Sequence, residues 1–249
     1  STRREGEPMS HQASKPLVLD IETAPCPVGV KHALRREPVF EAPRNYKDPD
    51  KIAAKVAEMR ESWVEKTTTE AGLSPLTGQV VCVVLADAAT GDPWSISAEG
   101  STTEAELLAE VRLKVQYTTP LITFNGFSFD APFLRLRMLR HGIEPPGCLL
   151  PTPRYRNLPH MDLRMFLTNW NDRARGRLED WAAFLGIPQP EPVLHPITGE
   201  PISGADVGQL FAHGEHRLIR QYCTADTQLT AAMFRRLNDL NAIRWSDKR

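Results

Sequence analysis

The chain has 249 residues, 41% hydrophobic and 24% charged, which suits a globular protein and is long enough for one large core. A formal net charge of −1 excludes a wholly basic nucleic-acid coat, and no apolar run reaches the ~18 residues of a membrane span. Cys26, Cys82, Cys148 and Cys223 lie too far apart for a zinc spacing and suggest no secreted disulfide framework, so a reducing, cytoplasmic setting is expected.

The opening STRREGEPMSHQASKP lacks the apolar centre of a signal peptide. Residues 1–14 read as a disordered extension or an expression scar, with Met9 a candidate start, and residues 15–249 as a single domain. PLVLDIETAP (16–25) then reads as a strand in which Asp20 and Glu22 share one face, about 7 Å apart at ~3.3 Å per residue. Like charges so placed repel unless a cation sits between them. The alternative is a solvent-facing strand that happens to carry two acids.

Residues 26–50 are rich in Pro and charge and read as a long irregular connection. Ile52, Val56, Met59 and Trp63 predict an amphipathic helix over 51–66. QVVCVVLAD (79–87) reads as a buried strand with PWSIS (93–97) as its hairpin partner. Thr103 and Glu106 form a capping-box signature before a helix carrying Leu108, Val111 and Val115. LITFN (121–125) predicts a further strand, and Asp130 the N-cap of a helix ending before Gly142.

Arg135 to Arg177 holds nine arginines, no lysine and three acids, a local excess that suits phosphate. A solvated helix face is the plainer explanation. Within this stretch a short strand is expected near 156–161 and a helix over 161–170, with Asp162 as its N-cap. Leu178, Trp181 and Leu185 mark another helix, and 189–204 reads as a Pro/Gly-rich loop. His195, His213 and His216 read as loop or helix-entrance residues rather than metal ligands. From about Glu215 a long helix carries Ile219, Tyr222, Leu229 and Met233 on one stripe, with Asp226 where an apolar residue belongs. A buried carboxylate needs a partner, and a Tyr222–Asp226 hydrogen bond at the edge of the core would provide one. The alternation of elements predicts an α/β fold with a mixed sheet flanked by helices.

Leu19-Asp20-Ile21-Glu22-Thr23, Asn125-Gly126-x-x-Phe129-Asp130-x-Pro132-Phe133-Leu134 and Tyr222-Cys223-x-x-Asp226 together resemble the three exonuclease motifs of the DEDD superfamily. The third is in its tyrosine form, since Gln221 stands where the histidine subclass has its His. The nearest likeness is to the proofreading exonuclease domain of family-B DNA polymerases and its stand-alone relatives. It spans roughly residues 15–240, with 26–78 and 189–208 unmatched. The resemblance implies an RNase H-like fold and a 3′–5′ exonuclease. Asp20, Glu22, Asp130 and Asp226 would hold two divalent cations, Mg²⁺ or Mn²⁺, as hard oxygen ligands suit. Tyr222 would orient the attacking water, and the products would be nucleoside 5′-monophosphates.

The expected partner is nucleic acid, DNA ahead of RNA, at single-stranded 3′ ends, with no membrane. Thr23, Asn125 and Phe129 are candidates to touch the terminal nucleotide, although Phe129 also suits a core. Arg173, Arg175 and Arg177 are candidates for phosphate contacts. RNA trimming by the same chemistry is one alternative. A catalytically silent nucleic-acid-binding domain is the other, and such relatives usually lack one of the carboxylates. With the chain ending soon after the third motif, no attached polymerase is expected.

Overall fold

The structure, a computed structural model, describes residues 15–171 and 173–243; the expected extension over 1–14 lies outside them. Five strands form one mixed sheet in the order β3-β2-β1-β4-β5. Strands β1 (Leu17–Pro25), β2 (Gly78–Asp87) and β3 (Pro93–Ser97) make an antiparallel meander. Strands β4 (Leu121–Thr123) and β5 (His160–Asp162) continue the sheet in parallel with β1. Helices flank both faces, as the element order predicts.

Strand alternation sorts β1 between two cores. Leu19 and Ile21, with Val83 and Leu85 of β2, pack against α3 (Glu104–Val115) and α4 (Asp130–Arg140). Val18 and Ala86 face the other way, onto α6 (Leu178–Phe184) and the second half of α8 (His216–Asp239). On that same face Val81, Cys82 and Val84 meet α7 (Val207–Ala212) and Ile219 and Cys223 of α8. Asp20 and Glu22 therefore point at α8. The register slips between Glu22 and Thr23, leaving Val81 as an extra residue on β2. That bulge puts Val81 and Cys82 into one core and bends the sheet beside the two acids.

Several elements differ from the sequence expectations. The connection after β1 contains a helix, α1 (Pro27–Leu34), with Pro27 in its first turn. Gly29 makes it possible: a Cβ there would lie 2.5 Å from Thr77 Cα. Helix α2 (Pro49–Glu70) is longer than 51–66, starting where Asp48 accepts the Asp50 N–H at 2.9 Å, and its apolar stripe is only half-buried. Strand β4 stops at Thr123, because Asn125 turns left-handed (φ 67°). Asp130 is the first residue of α4, and Phe129 holds the N-cap position. The strand expected near 156–161 is only β5, and α5 (Leu163–Leu167) is shorter than 161–170 because Asn169 and Trp170 are left-handed. Asp162 caps α5 as expected, accepting the Met165 N–H at 3.1 Å. Helix α7 arises between the 189–204 loop and α8, and Leu194 bridges to Pro201 within that loop.

Candidate active site

Asp20 and Glu22 come from the centre of the sheet, Asp130 from the first turn of α4 and Asp226 from the middle of α8. Glu22 and Asp130 are buried, and Asp20 and Asp226 are half-buried. Asp130 accepts the backbone N–H of Ile21, which lies between the two acids of β1 and ties α4 to them. Asp20, Asn125, Arg177 and Asp226 line one cavity of about 420 Å³, together with Phe124, Arg164, Gly176 and Leu178.

The electrostatics of these four acids are unfavourable for a metal-free protein. Burial pushes Asp20 and Glu22 well above the carboxylate range, and the neighbouring acids of the set add to it. Burial also raises Asp130 and Asp226 to about 7; negative Asp162 adds to the first and negative Glu179 to the second. Among the described residues no Lys or Arg forms an ion pair with any of the four. Four converging carboxylates without a cation fit hard divalent ions. One grouping is compact: oxygens of Asp20 and Glu22 and the sulfur of Cys223 all lie within 4.8 Å of one another. Cys223 Sγ sits 3.3 Å from Asp20 Oδ2, a contact that no local pattern foreshadows.

Tyr222 donates a hydrogen bond from its hydroxyl to Asp226. Burial, then the negative charges of Asp226, Glu22 and Asp20, hold its proton on far above the usual phenol range. It can donate a hydrogen bond or orient a water, and it cannot serve as a base near neutral pH.

Two bonds to residues distant in the chain hold Asn125. Its backbone N–H donates to Asp162 Oδ1 at 3.0 Å, and its carboxamide oxygen accepts from Arg164 Nη1 at 3.1 Å. Arg164 is itself fixed by the Ala174 carbonyl at 2.7 Å. The Asn125 NH₂ is what remains to donate into the cavity. Asp162 also takes the Phe127 N–H at 3.0 Å, so this buried carboxylate clamps the whole turn as well as capping α5. Gly126 fits the turn because a Cβ there would come within 2.5 Å of Thr123 Cβ.

The other candidates lie elsewhere. Thr23 donates its hydroxyl to the Gly72 carbonyl at 2.7 Å. Phe129 packs on the α3/α4 core, its ring 5.5 Å from that of Phe133. Arg173 and Arg175 are exposed beside the cavity loop and are not in its wall. Phe124, Gly176 and Leu178 were not foreseen as site residues, because Phe124 and Leu178 read only as strand and helix positions and Gly176 carries no side chain. Arg164 carried only the general signal of the arginine cluster.

A family described as a predicted 3′–5′ exonuclease related to the exonuclease domain of PolB matches residues 78–243, which include the second and third motifs and leave out β1. No curated protein matches the chain. Among solved structures the chain is similar to the family B DNA polymerase from the hyperthermophilic archaeon Pyrobaculum calidifontis, at 17% identity and a TM-score of 0.55. The likeness covers 94% of this chain and 25% of that one, so the chain spans about a quarter of the polymerase it matches. At that identity it speaks for the fold alone.

Proposed function

The chain belongs to the family of predicted 3′–5′ exonucleases related to the exonuclease domain of PolB, and on that premise we propose that it removes nucleotides from unpaired 3′ ends of DNA. The products are nucleoside 5′-monophosphates. The observation that carries this reading is the meeting of four acids, without a cationic partner among the described residues, two of them (Asp20 and Asp226) lining a cavity, beside a tyrosine hydroxyl.

Asp20, Glu22, Asp130 and Asp226 hold two divalent cations, Mg²⁺ or Mn²⁺. When bound, such a pair lowers the pKa of a water and stabilises the departing oxygen of an in-line displacement at phosphorus. Tyr222 orients the attacking water through its hydroxyl. The Asn125 NH₂, fixed by Arg164, and the Arg177 guanidinium bear on the terminal nucleotide. Arg173 and Arg175 add affinity along the strand. One RNase H-like unit over residues 15–249 and an intracellular setting complete the reading. No described helix is long and apolar enough to cross a membrane.

The test is incubation of the purified protein with end-labelled single-stranded DNA and RNA of matched sequence, in Mn²⁺, Mg²⁺ or EDTA. Stepwise shortening of DNA from the 3′ end, abolished by EDTA, is expected. Shortening of RNA alone would replace the DNA assignment by an exoribonuclease. Absence of either in all three conditions would leave a binding domain.

A further inference from the structure

A second cavity, of about 240 Å³, lies on the motif turn two residues beyond the first: Asn125 lines the one and Phe127 the other. Its wall includes Phe127, Pro132, Arg135, Thr152, Arg154 and Trp170, and none of the four acids. Phe127 and Trp170 stack with ring centroids 5.2 Å apart and planes 22° from parallel. Tyr155 meets the Trp170 edge at 5.6 Å, and Arg154 lies over the Tyr155 ring at 5.3 Å.

Two features of this wall leave hydrogen-bonding capacity unused among the described residues. Thr152 Oγ1 is buried and has no hydrogen-bond partner among the described residues, an unfavourable arrangement unless a ligand supplies one. Arg135 and Arg154 each give one N–H to a carbonyl, of Leu149 at 3.1 Å and Trp170 at 2.9 Å, which aims each guanidinium and leaves further donors. His160 in the same wall is held neutral by burial, its pKa lowered to about 3, so the arginines set the sign of the charge there. Aromatic faces, a buried hydroxyl and two arginines are the recognition set for a nucleobase joined to phosphate. The volume falls below the ~300–1,000 Å³ of pockets for drug-sized ligands, so a base enters and its phosphate stays at the rim.

We propose that this cavity is a second nucleotide site, which takes a base against Phe127 and Trp170, with Thr152 hydrogen-bonding the base and Arg135 and Arg154 meeting the phosphate. The occupant is a nucleotide of the bound strand away from the one being cleaved, or a free mononucleotide. The choice of a nucleotide rests on the nucleic-acid reading above.

The test is a fluorescence and melting titration of the intact protein in EDTA, where metal-dependent hydrolysis is off. The probes are AMP, dAMP and oligodeoxyadenylates of two to six nucleotides. A saturable quench and a rise in Tm are expected for the wild type. The quench should vanish in Trp170→Phe, and affinity should weaken about three- to tenfold in Thr152→Val, the size of one neutral hydrogen bond. Thr152→Val removes a hydroxyl that no described residue bonds, so a merely structural Thr152 predicts equal affinity and equal or higher Tm. Arg154→Ala should weaken binding further. Should Trp170→Phe fail to fold, the ligand-induced Tm shifts of the other two variants decide.

Saturation by mononucleotides identifies a free-nucleotide site, whereas binding that needs the longer chains identifies a strand subsite. No quench and no Tm shift from any probe, or equal affinities in wild type, Thr152→Val and Arg154→Ala, would overturn the proposal. The 3′-end hydrolysis assay on the same preparation separates the two readings. Hydrolysis without binding here removes the second site alone, and binding here without hydrolysis removes the exonuclease alone.

Discussion

Asp226 occupies a helical position flanked by buried Ile219, Leu229 and Met233, and its carboxyl holds a proton up to about pH 7 because burial penalises the charge. An acid whose folded pKa exceeds its unfolded value of 3.8 binds more protons folded than unfolded between about pH 4 and 7, so its contribution to stability falls as pH rises through that window. Asp226→Asn removes that loss. In EDTA the Tm of the variant should therefore exceed that of wild type by an amount that grows from pH 4 to pH 8. Mn²⁺ should raise the wild-type Tm and do little to the variant. A melting series over pH with and without Mn²⁺ checks both, and a difference that shrinks with pH contradicts the assignment. Tyr222→Phe keeps the ring and loses the hydroxyl bonded to Asp226. It should cost about ten- to a hundredfold in kcat, the range of a hydrogen bond to a charged group, with KM little changed. Steady-state kinetics on a single-stranded oligonucleotide decides it. The acids were legible in the sequence because a carboxylate on a buried face is anomalous wherever it sits. The Asp162 clamp on the Asn125 turn, as distinct from its cap, and the site contacts of Arg164 and Cys223 were not, since those partners lie 37, 39 and 203 residues away in the chain.

At the scale of elements, the site is a junction: a bulged strand, the end of β4, the first turn of α4 and the middle of α8. Apolar patterning located β1, β2 and α8, the capping box marked the start of α3, and β3 followed as the hairpin partner of β2. Patterning overran β4 and α5, because both end in left-handed residues that only the neighbouring contacts enforce. It missed α1, whose Gly29 reads as a helix breaker until Thr77 is seen against it. Asp162 joins these elements, with its two oxygens receiving the N–H groups of Asn125, Phe127 and Met165. Asp162→Asn exchanges one acceptor oxygen for an NH₂ that would face a donor. It should lower stability by about 1–3 kcal/mol, roughly 2–12 °C in Tm, and loosen Asn125 and Asp130 together. The expected signature is a kcat loss larger at 37 °C than at 15 °C, while Asp162→Ala should not fold well enough to assay. A fully active Asp162→Asn with unchanged Tm would reduce Asp162 to the ordinary cap of a short helix.

For the whole molecule, a net charge of −1 conceals a segregated one, and the structure divides the nine arginines of 135–177 by task. Arg137 is buried, bonded to Glu104 Oε1 at 2.8 Å and to the Pro75 carbonyl at 3.1 Å, and helps to hold α3, α4 and β2 together. Arg164 fixes Asn125, and Arg173, Arg175 and Arg177 remain exposed around the cavity loop. Composition could show the excess of arginine and not this division, which depends on what each guanidinium meets across the fold. The two groups should behave differently in salt. Each phosphate contact on a single strand contributes about 0.7 to the slope of log affinity against log salt. Replacing Arg173, Arg175 and Arg177 together by Ala should raise KM and flatten that slope by up to about 2, with kcat at saturation falling less than KM rises. Arg137→Ala should instead leave the slope as it is and cost up to about 3–5 kcal/mol of stability, because buried Glu104 loses its guanidinium partner and keeps only His141 and the Val80 N–H. The same titration run on blunt duplex ends adds the work of opening the strand, about 1.4 kcal/mol per base-pair step in stacking, so blunt ends should be degraded about tenfold more slowly for each step opened. Salt stabilises the duplex while it weakens the strand contacts, so the gap between blunt and single-stranded rates should widen as salt rises. Equal rates on blunt and open ends at every salt concentration would mean that the cavity beside Asp20 and Asp226 does not take a separated 3′ strand. An unchanged slope in the triple variant would return those arginines to a solvated surface.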